Sequence, residues 1–448
     1  MKKVDFLFIY EVKNRELENI TLMAAELERR GYTTAFLNSW YCSENDFEEY
    51  DAEVCIISAC YSTGTYNYFT RHALNFKKVV NLQWEQVLRN GYAEADGKTS
   101  WDFSGEALNT RHICWGENTK QRLMKKYNVP EEYLKVCGYI SLDFYRDEFK
   151  NFFMDKNDLY KEFGLYTNKI TNLFISSFAI ATMPKENRGE APGDFNEVFI
   201  QNTIDSQKVV VDWFMSACEK YPDMQFIYRA HPSEPVNPTL TELANNVENF
   251  FYISKYPVKH WISNCDKIYN WTSTSAAEVY VSGKQSFILM PVPIDRRISY
   301  PFFEGGQAIT TYDEFIRSLE MPTCEENQPL DTSRFEDCYM QNESPVYMNL
   351  CDVFEDTYKS TSYFSNKNEH KKPNEYKYDM KKYDDFWYSP FNLLLCKLSK
   401  KTNSNIHSIK VRREAELPTK EHRDKKKRYA EERIAINYAS EEEIRKLI

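Results

Sequence analysis

What most constrains this chain is a rhythm: short apolar runs alternate with helix-length amphipathic stretches, and the alternation happens twice. In the first set, Val4–Tyr10 predicts a strand and Glu16–Arg30 a helix stopped by Gly31. Strands over Thr33–Leu37 and Glu53–Ala59, a helix over Tyr66–Phe76 and a strand over Lys78–Leu82 follow. A strand over His112–Trp115, a helix over Asn118–Tyr127, a strand over Leu134–Cys137 and a helix from Leu142 complete the set. Strands separated by helices of this length require right-handed crossovers and a parallel sheet.

The pattern then restarts. Strands are predicted over Asn172–Ser177, Gln225–Arg229, Phe250–Ile253, Lys267–Trp271 and Ser286–Met290, with helices over Phe199–Lys220, Val258–Asn264 and Ser275–Val281. The expected architecture is α/β, with one doubly wound domain over residues 1–155 and a second over 156–325. After about Pro322 the rhythm breaks down, so residues 326–448 read as a C-terminal helical or irregular extension. In such sheets ligands bind beyond the carboxyl ends of the strands, which makes the residues just after each strand the informative ones.

Composition narrows the class. At 448 residues and 42% hydrophobic, the chain can fill two cores, which excludes global disorder. No stretch approaches the ~18 to 20 continuous apolar residues of a membrane span. The start, Met1 to Tyr10, is interrupted by Asp5 and is followed by Glu11-Val12-Lys13, so it reads as a strand and not as a secretory signal. Eleven scattered cysteines without a Cys-x-x-Cys pair indicate neither a disulfide framework nor a zinc site, and a cytoplasmic location is expected.

From Lys371 onward 20 basic residues face 13 acidic ones, a net +7 that leaves −17 on the rest of a chain whose total is −10. An acidic body argues against nucleic acid as the main partner. The basic tail leaves room for peripheral association with the inner face of the plasma membrane. Within it, Tyr363–Tyr383 reads as a linker and Glu421–Ile448 as a charged, solvated helix. The aromatic, then basic run Phe386–Lys401 suits either a membrane interface or a helix packed back on a domain.

Chemistry-bearing residues cluster at strand ends. Tyr228-Arg229-Ala230-His231-Pro232 follows a strand: Arg229 offers a forked donor for phosphate oxygens, and His231 a donor to a phosphate or a leaving oxygen. A capped turn with a satisfied histidine is the plain alternative. Forty residues on, Asn270-Trp271-Thr272-Ser273-Thr274-Ser275 opens a helix with hydroxyl groups, which suits an anion, and Glu278 one turn in can reach a ribose. Ser275 and Glu278 also have the spacing of a capping box. In the first half, Glu11, Arg15 and Glu16 follow the first strand, Glu85 lies in the Gln83-Trp84-Glu85-Gln86 turn, and Trp115-Gly116 ends another strand. Their carboxylates suit deprotonation of an acceptor hydroxyl, or simple complementation of a helix dipole. Gly116 allows close backbone approach to a ligand.

In order and spacing, over roughly residues 1 to 320, these segments resemble bacterial surface-carbohydrate and capsule biosynthesis glycosyltransferases of the GT-B type, with two Rossmann-like domains facing across a cleft. The marks are Arg15-Glu16-Leu17, Gln83–Gln86, Cys114-Trp115-Gly116 with Thr119-Lys120, Gly138-Tyr139-Ile140, Arg229–Pro232 and Trp271–Glu278. The His-Pro turn and the Ser/Thr cluster also look like the donor-phosphate motifs of Kdo-, sialyl- and polysialyltransferases that use CMP-sugars.

The resemblance implies that Arg229, His231, Ser273, Thr274 and Ser275 hold the donor phosphate, with Glu278 near the ribose. It places Glu11, Arg15, Trp115 and Gly116 on the acceptor or sugar side and makes Glu16, Glu85 and His231 the catalytic candidates. Trp84 stands where the family often carries His, and Asn270-Trp271 replaces a usual Asp. The expected co-substrate is a nucleotide-sugar, the acceptor a glycan or lipid-linked glycan, and no obligatory metal is expected. A CDP-polyol phosphotransferase of teichoic-acid type, a nucleotide-sugar epimerase and a non-catalytic carbohydrate-binding protein are the alternatives.

Overall fold

The computed structural model describes residues 1–361 except 12, 40–43, 71–75, 95–101, 184–194, 232–233, 324–326 and 328. The readings made above for Pro232 and for Tyr363–Tyr383, Phe386–Lys401 and Glu421–Ile448 lie outside the described residues.

Two six-stranded sheets, all of whose strand pairs are parallel, organise the chain. The first contains β1 (Lys2–Tyr10), β2 (Thr34–Asn38), β3 (Tyr50–Ile57), β4 (Phe76–Asn81), β5 (Arg111–Cys114) and β6 (Leu134–Val136), in the order β2-β1-β3-β4-β5-β6. The second contains β7 (Ile170–Ile175), β8 (Met224–Arg229), β9 (Phe250–Ile253), β10 (Lys267–Asn270), β11 (Gln285–Leu289) and β12 (Ala308–Ile309), in the order β12-β11-β10-β7-β8-β9. Central strands such as Val54–Ile57 and Phe226–Arg229 are buried on both faces, as parallel sheets covered by helices must be.

Several expected boundaries shift. The helix placed over Tyr66–Phe76 runs over Thr63–Thr70, and Phe76 instead begins β4. The helix expected from Leu142 is replaced by two 3-10 turns, Ile140–Tyr145 and Asp147–Phe149, before a helix over Lys156–Phe163. Asp143 in the first turn explains this: its carboxylate accepts hydrogen bonds from the Val346 and Tyr347 N–H groups, so the segment serves as a cap for another helix.

That other helix, Val346–Lys359, and its predecessor Thr332–Cys338 lie where the sequence rhythm had stopped. Val346, Leu350, Cys351 and Phe354 form a buried stripe at helical spacing, packed with Phe6, Phe8 and Leu27 in the core of the first sheet. Arg30 pairs with Asp352 at 2.6 Å, and Arg111 with Asp356 at 2.7 Å. The chain therefore crosses back from the second sheet to cover the first. Among the described residues no helix is long and apolar enough to cross a membrane.

Candidate active site

Loops at the carboxyl ends of both sheets enclose a cavity of about 340 Å³. Its lining includes Arg15, Trp84, Glu85 and Arg89 from the first half and Ser176, Arg229, His231, Lys259 and Glu278 from the second.

On the first edge, Arg15 joins two carboxylates. Glu16 is fully buried: its Oε1 accepts from Arg15 Nε at 3.1 Å and Nη2 at 2.6 Å, and its Oε2 from the Glu11 N–H and Ser58 Oγ, both at 2.8 Å. Arg15 Nη1 donates to Glu85 Oε1 at 2.7 Å, and Glu85 is 54% exposed. Burial opposes the Arg15 charge, but Glu16 and Glu85 outweigh it and raise its pKa above the ordinary arginine value.

The Glu85 turn is set by its neighbours. Gln83 takes φ +47°, in the left-handed region, and its N–H donates to Asn81 Oδ1 at 3.1 Å. Gln86 donates to the carbonyls of Leu82 at 2.9 Å and Ile113 at 2.7 Å, and accepts from the Trp115 N–H at 2.7 Å, which fastens the β4 and β5 loops together. Trp115 packs 4.0 Å from Tyr139 and stacks on Tyr339, making an aromatic wall.

On the second edge, Arg229 ends β8 with 3% exposure. It donates to the carbonyls of Tyr256 at 2.7 Å and Ala230 at 3.2 Å, and its buried Nε has no hydrogen-bond partner among the described residues. Burial, opposed by Glu278, lowers its pKa to about 10. The His231 side chain remains exposed to the cleft. Desolvation among the cleft groups, with Arg229, Arg15 and Arg89, pushes its imidazole down to about 4, so it is neutral near pH 7. Beneath it, buried Glu234 accepts from Ser176 Oγ at 2.6 Å, Tyr228 OH at 3.0 Å and the His231 N–H at 3.2 Å, fixing the turn.

The Ser275–Glu278 pair does not form the capping box its spacing suggests. Ser275 makes no side-chain cap, and Glu278 Oε1 accepts from Ser141 Oγ of the first half at 2.9 Å. Burial raises the Glu278 pKa against the pull of Lys259 and the Ser141 hydrogen bond. Thr274 and Ser275 line the cavity, whereas Ser273 is buried and accepts from the Ser275 N–H at 3.2 Å.

Of the residues singled out in the sequence, Arg15, Glu85, Trp115, Arg229, His231, Thr274, Ser275 and Glu278 thus meet at one cavity. Three others need correction. Glu16 lies under Arg15 with both oxygens engaged, so it supports and does not face a ligand. Glu11 stands outside the cavity lining, where its N–H donates to Glu16 and its carbonyl accepts from Asn38 Nδ2 at 3.0 Å. Gly116 admits the chain itself: a Cβ there would stand 2.3 Å from the Asp337 carbonyl oxygen, so the close approach is to the returning backbone.

Sequence reasoning missed Arg89, whose guanidinium crosses between the halves to Thr272 Oγ1 at 2.8 Å and to the Ile298 carbonyl, and lies over Phe199 and Tyr300. It also missed Lys259, paired with Glu18 at 3.2 Å and set over the Phe144 ring at 4.0 Å. Lys259 lies on a predicted helix, where a lysine ordinarily signals a solvated face. Nothing local marks either residue.

No family model and no curated protein matches the sequence. Solved structures do. Methanocaldococcus jannaschii UDP-GlcNAc 2-epimerase, in complex with UDP-GlcNAc and UDP, aligns over 79% of this chain and 99% of its own, with TM-score 0.51 and 11% identity. A variant of the wall teichoic acid polymerase TagF aligns over 79% and 89%, with TM-score 0.52 and 9% identity. Another TagF structure, with CDPG, covers 79% and 88% at TM-score 0.50 and 11% identity. The chain has the GT-B fold. In GT-B terms the cavity occupies the cleft between the two Rossmann-like sheets, and its residues follow the carboxyl ends of their strands.

Proposed function

We propose that this protein is a glycosyltransferase of surface-polysaccharide assembly that moves a sugar from a nucleotide-activated donor to a glycan or lipid-linked glycan. The observation that carries the reading is Arg229: a cavity-lining, buried guanidinium whose hydrogen bonds among the described residues go to neutral carbonyls and leave Nε unsatisfied. A bound phosphate would supply the missing acceptor. His231, neutral when the cleft is empty, gains reason to take a proton as the anion arrives.

Chemically, the acceptor hydroxyl attacks the anomeric carbon while Glu85, exposed at the mouth, takes its proton. The bond from the anomeric carbon to the phosphate oxygen breaks, and the departing nucleotide phosphate takes the electron pair and its new negative charge onto Arg229 and His231. Thr274 and Ser275 flank that phosphate, Glu278 the ribose, and Trp115 the sugar. A CMP-sugar such as CMP-Kdo or a CMP-nonulosonate is the donor we favour, on motif resemblance, and we expect no metal requirement. The site of action is proposed as the cytoplasmic face of the membrane.

The ligands named for the fold neighbours, UDP-GlcNAc, UDP and CDPG, support a nucleotide-linked donor and sustain a second reading as epimerase or CDP-polyol phosphotransferase. Assay of purified protein with CMP-, CDP- and UDP-linked donors separates them. Free CMP with no phosphorus gained by the acceptor supports sugar transfer. Phosphorus gained by the acceptor moves the reading to polyol-phosphate transfer, and C2 inversion without an acceptor moves it to epimerisation. Activity abolished by EDTA contradicts the metal-free scheme.

A further inference from the structure

The arginines and lysine in the lining of the cleft cavity are Arg15, Arg89, Arg229 and Lys259. Arg15 is taken by Glu16 and Glu85, and Lys259 by Glu18 at 3.2 Å. Arg89 and Arg229 make no ion pair with any described residue, and Glu278, the other carboxylate of the lining, accepts from Ser141 Oγ. In the proposed reaction Arg229 receives the donor phosphate. Arg89 has no role there.

The contacts of Arg89 leave one edge of its guanidinium open. Nη1 donates to Thr272 Oγ1 at 2.8 Å and to the Ile298 carbonyl, and Nη2 donates to the Thr272 carbonyl at 3.2 Å, all of them neutral oxygens. Thr272 therefore occupies the Nη1–Nη2 end. Nε donates to no described residue and remains, with the second Nη2 hydrogen, along the other edge. Two such N–H groups form the fork that carboxylates and phosphates accept. The Phe199 ring at 4.9 Å and the Tyr300 ring at 4.7 Å hold the head in place, so little freedom is left to lose when an anion binds.

The fold sets this head beside the phosphate turn. Thr272 opens the turn whose Thr274 and Ser275 line the cavity. Asn270, the last residue of β10, and Arg229, the last of β8, pair with Ile175 of β7 from its two sides, and Ile175 also lines the cavity. Two strand spacings, ~10 Å, thus separate the backbone at Arg229 from the foot of the turn that Arg89 grips. One nucleotide-linked donor spans that separation.

We propose that Arg89 is a second oxyanion subsite of the cleft, which holds a negative group of the donor other than the phosphate on Arg229. This rests on the transferase reading, and it deepens that reading by requiring a donor with two anionic groups. A carboxylate on the transferred sugar and the second phosphate of a diphosphate-linked donor share this chemistry, and the test separates them.

Calorimetric titration, run below the Tm of every protein used, compares CMP, UMP and GMP with their diphosphates, and CMP with CMP-N-acetylneuraminate. The proteins are wild type, Arg89→Gln, Arg89→Lys and Arg229→Gln. The expected result is that at least one two-anion ligand binds wild type about tenfold or more tighter than its monophosphate. Arg89→Gln should abolish that gain while the monophosphate Kd stays within about threefold, because its phosphate rests on the distant Arg229. Arg229→Gln should weaken both ligands of the pair. A gain from a diphosphate identifies a second phosphate, and a gain from CMP-N-acetylneuraminate identifies a sugar carboxylate. A gain that survives in Arg89→Gln overturns the proposal. So does equal weakening of every ligand in Arg89→Gln, which describes a tie between the halves and not a subsite. Where Arg89→Gln does not fold, Arg89→Lys keeps the charge, loses the fork and carries the same comparison: the gain should fall about threefold or more, and an unchanged gain overturns the proposal. A wild type that binds nucleotides without any gain from a second anion overturns this proposal alone. One that binds none of them overturns the transferase reading with it.

Discussion

Arg15 and Arg229 face each other across one cleft and differ in what balances them. Arg15 is held by two carboxylates, one buried and one exposed. Arg229 gives its hydrogen bonds, among the described residues, to carbonyls alone and keeps an unsatisfied Nε. The same side-chain type is therefore a positioning device on one edge and an unfinished anion site on the other. Under the proposed function the difference says where charge is to arrive: the phosphate would go to the second edge, and Glu85 on the first would take the proton.

The strongest way to break this comparison is at Glu85. It is 54% exposed, so Glu85→Gln should change stability by under about 0.5 kcal/mol, while kcat falls about 10²- to 10⁴-fold. A kcat within threefold of wild type would remove Glu85 as the base. Glu16→Gln sharpens the contrast, because it breaks a buried ion pair and places an NH₂ among donors. Chemical denaturation should show a loss of about 2 to 4 kcal/mol. An unchanged midpoint would mean that Glu16 is not the support its contacts describe.

Gly116→Ala tests the other correction. The added methyl meets the Asp337 backbone, so the variant should lose about 1 to 3 kcal/mol of stability while the folded fraction keeps its nucleotide affinity. Weakened nucleotide binding at full stability would restore Gly116 to the ligand site.

The smallest effect concerns pH. The folded-state pKa of His231 is depressed from 6.5 to about 4, so the unfolded chain binds more protons between those values. Stability should therefore rise with pH through that window, and His231→Gln should flatten the rise in melting profiles. In the ligand complex the sign reverses. A bound phosphate favours the imidazolium, so nucleotide affinity should strengthen from pH 7.5 to 5.5 in wild type and stay flat in the variant.

Much of the fold was legible because parallel strands buried on both faces are near-continuous apolar runs, as in Phe6–Tyr10 and Phe226–Tyr228. The returning helices were not, because Pro345 and Asp331 open them without a strand to announce a crossover. The candidate site was half legible. Residues directly after strands, such as Glu85, Arg229 and His231, follow a rule of position. Arg89 and Lys259 obey no local rule, since their partners are 183 and 241 residues away. Glu278 shows the same limit from the other side: its spacing fits a local cap, yet a serine 137 residues away holds it.

The central claim is that a nucleotide phosphate completes Arg229. Thermal shift of wild type, Glu85→Gln and Arg229→Gln with CMP, CDP, UDP and GDP tests it, since ligand at 100 times its Kd adds about 2.7 kcal/mol to native stability. The account predicts that one nucleotide raises the Tm of wild type and Glu85→Gln alike, and that Arg229→Gln, itself no less stable, binds it about 10- to 100-fold more weakly. Equal shifts in wild type and Arg229→Gln would contradict it.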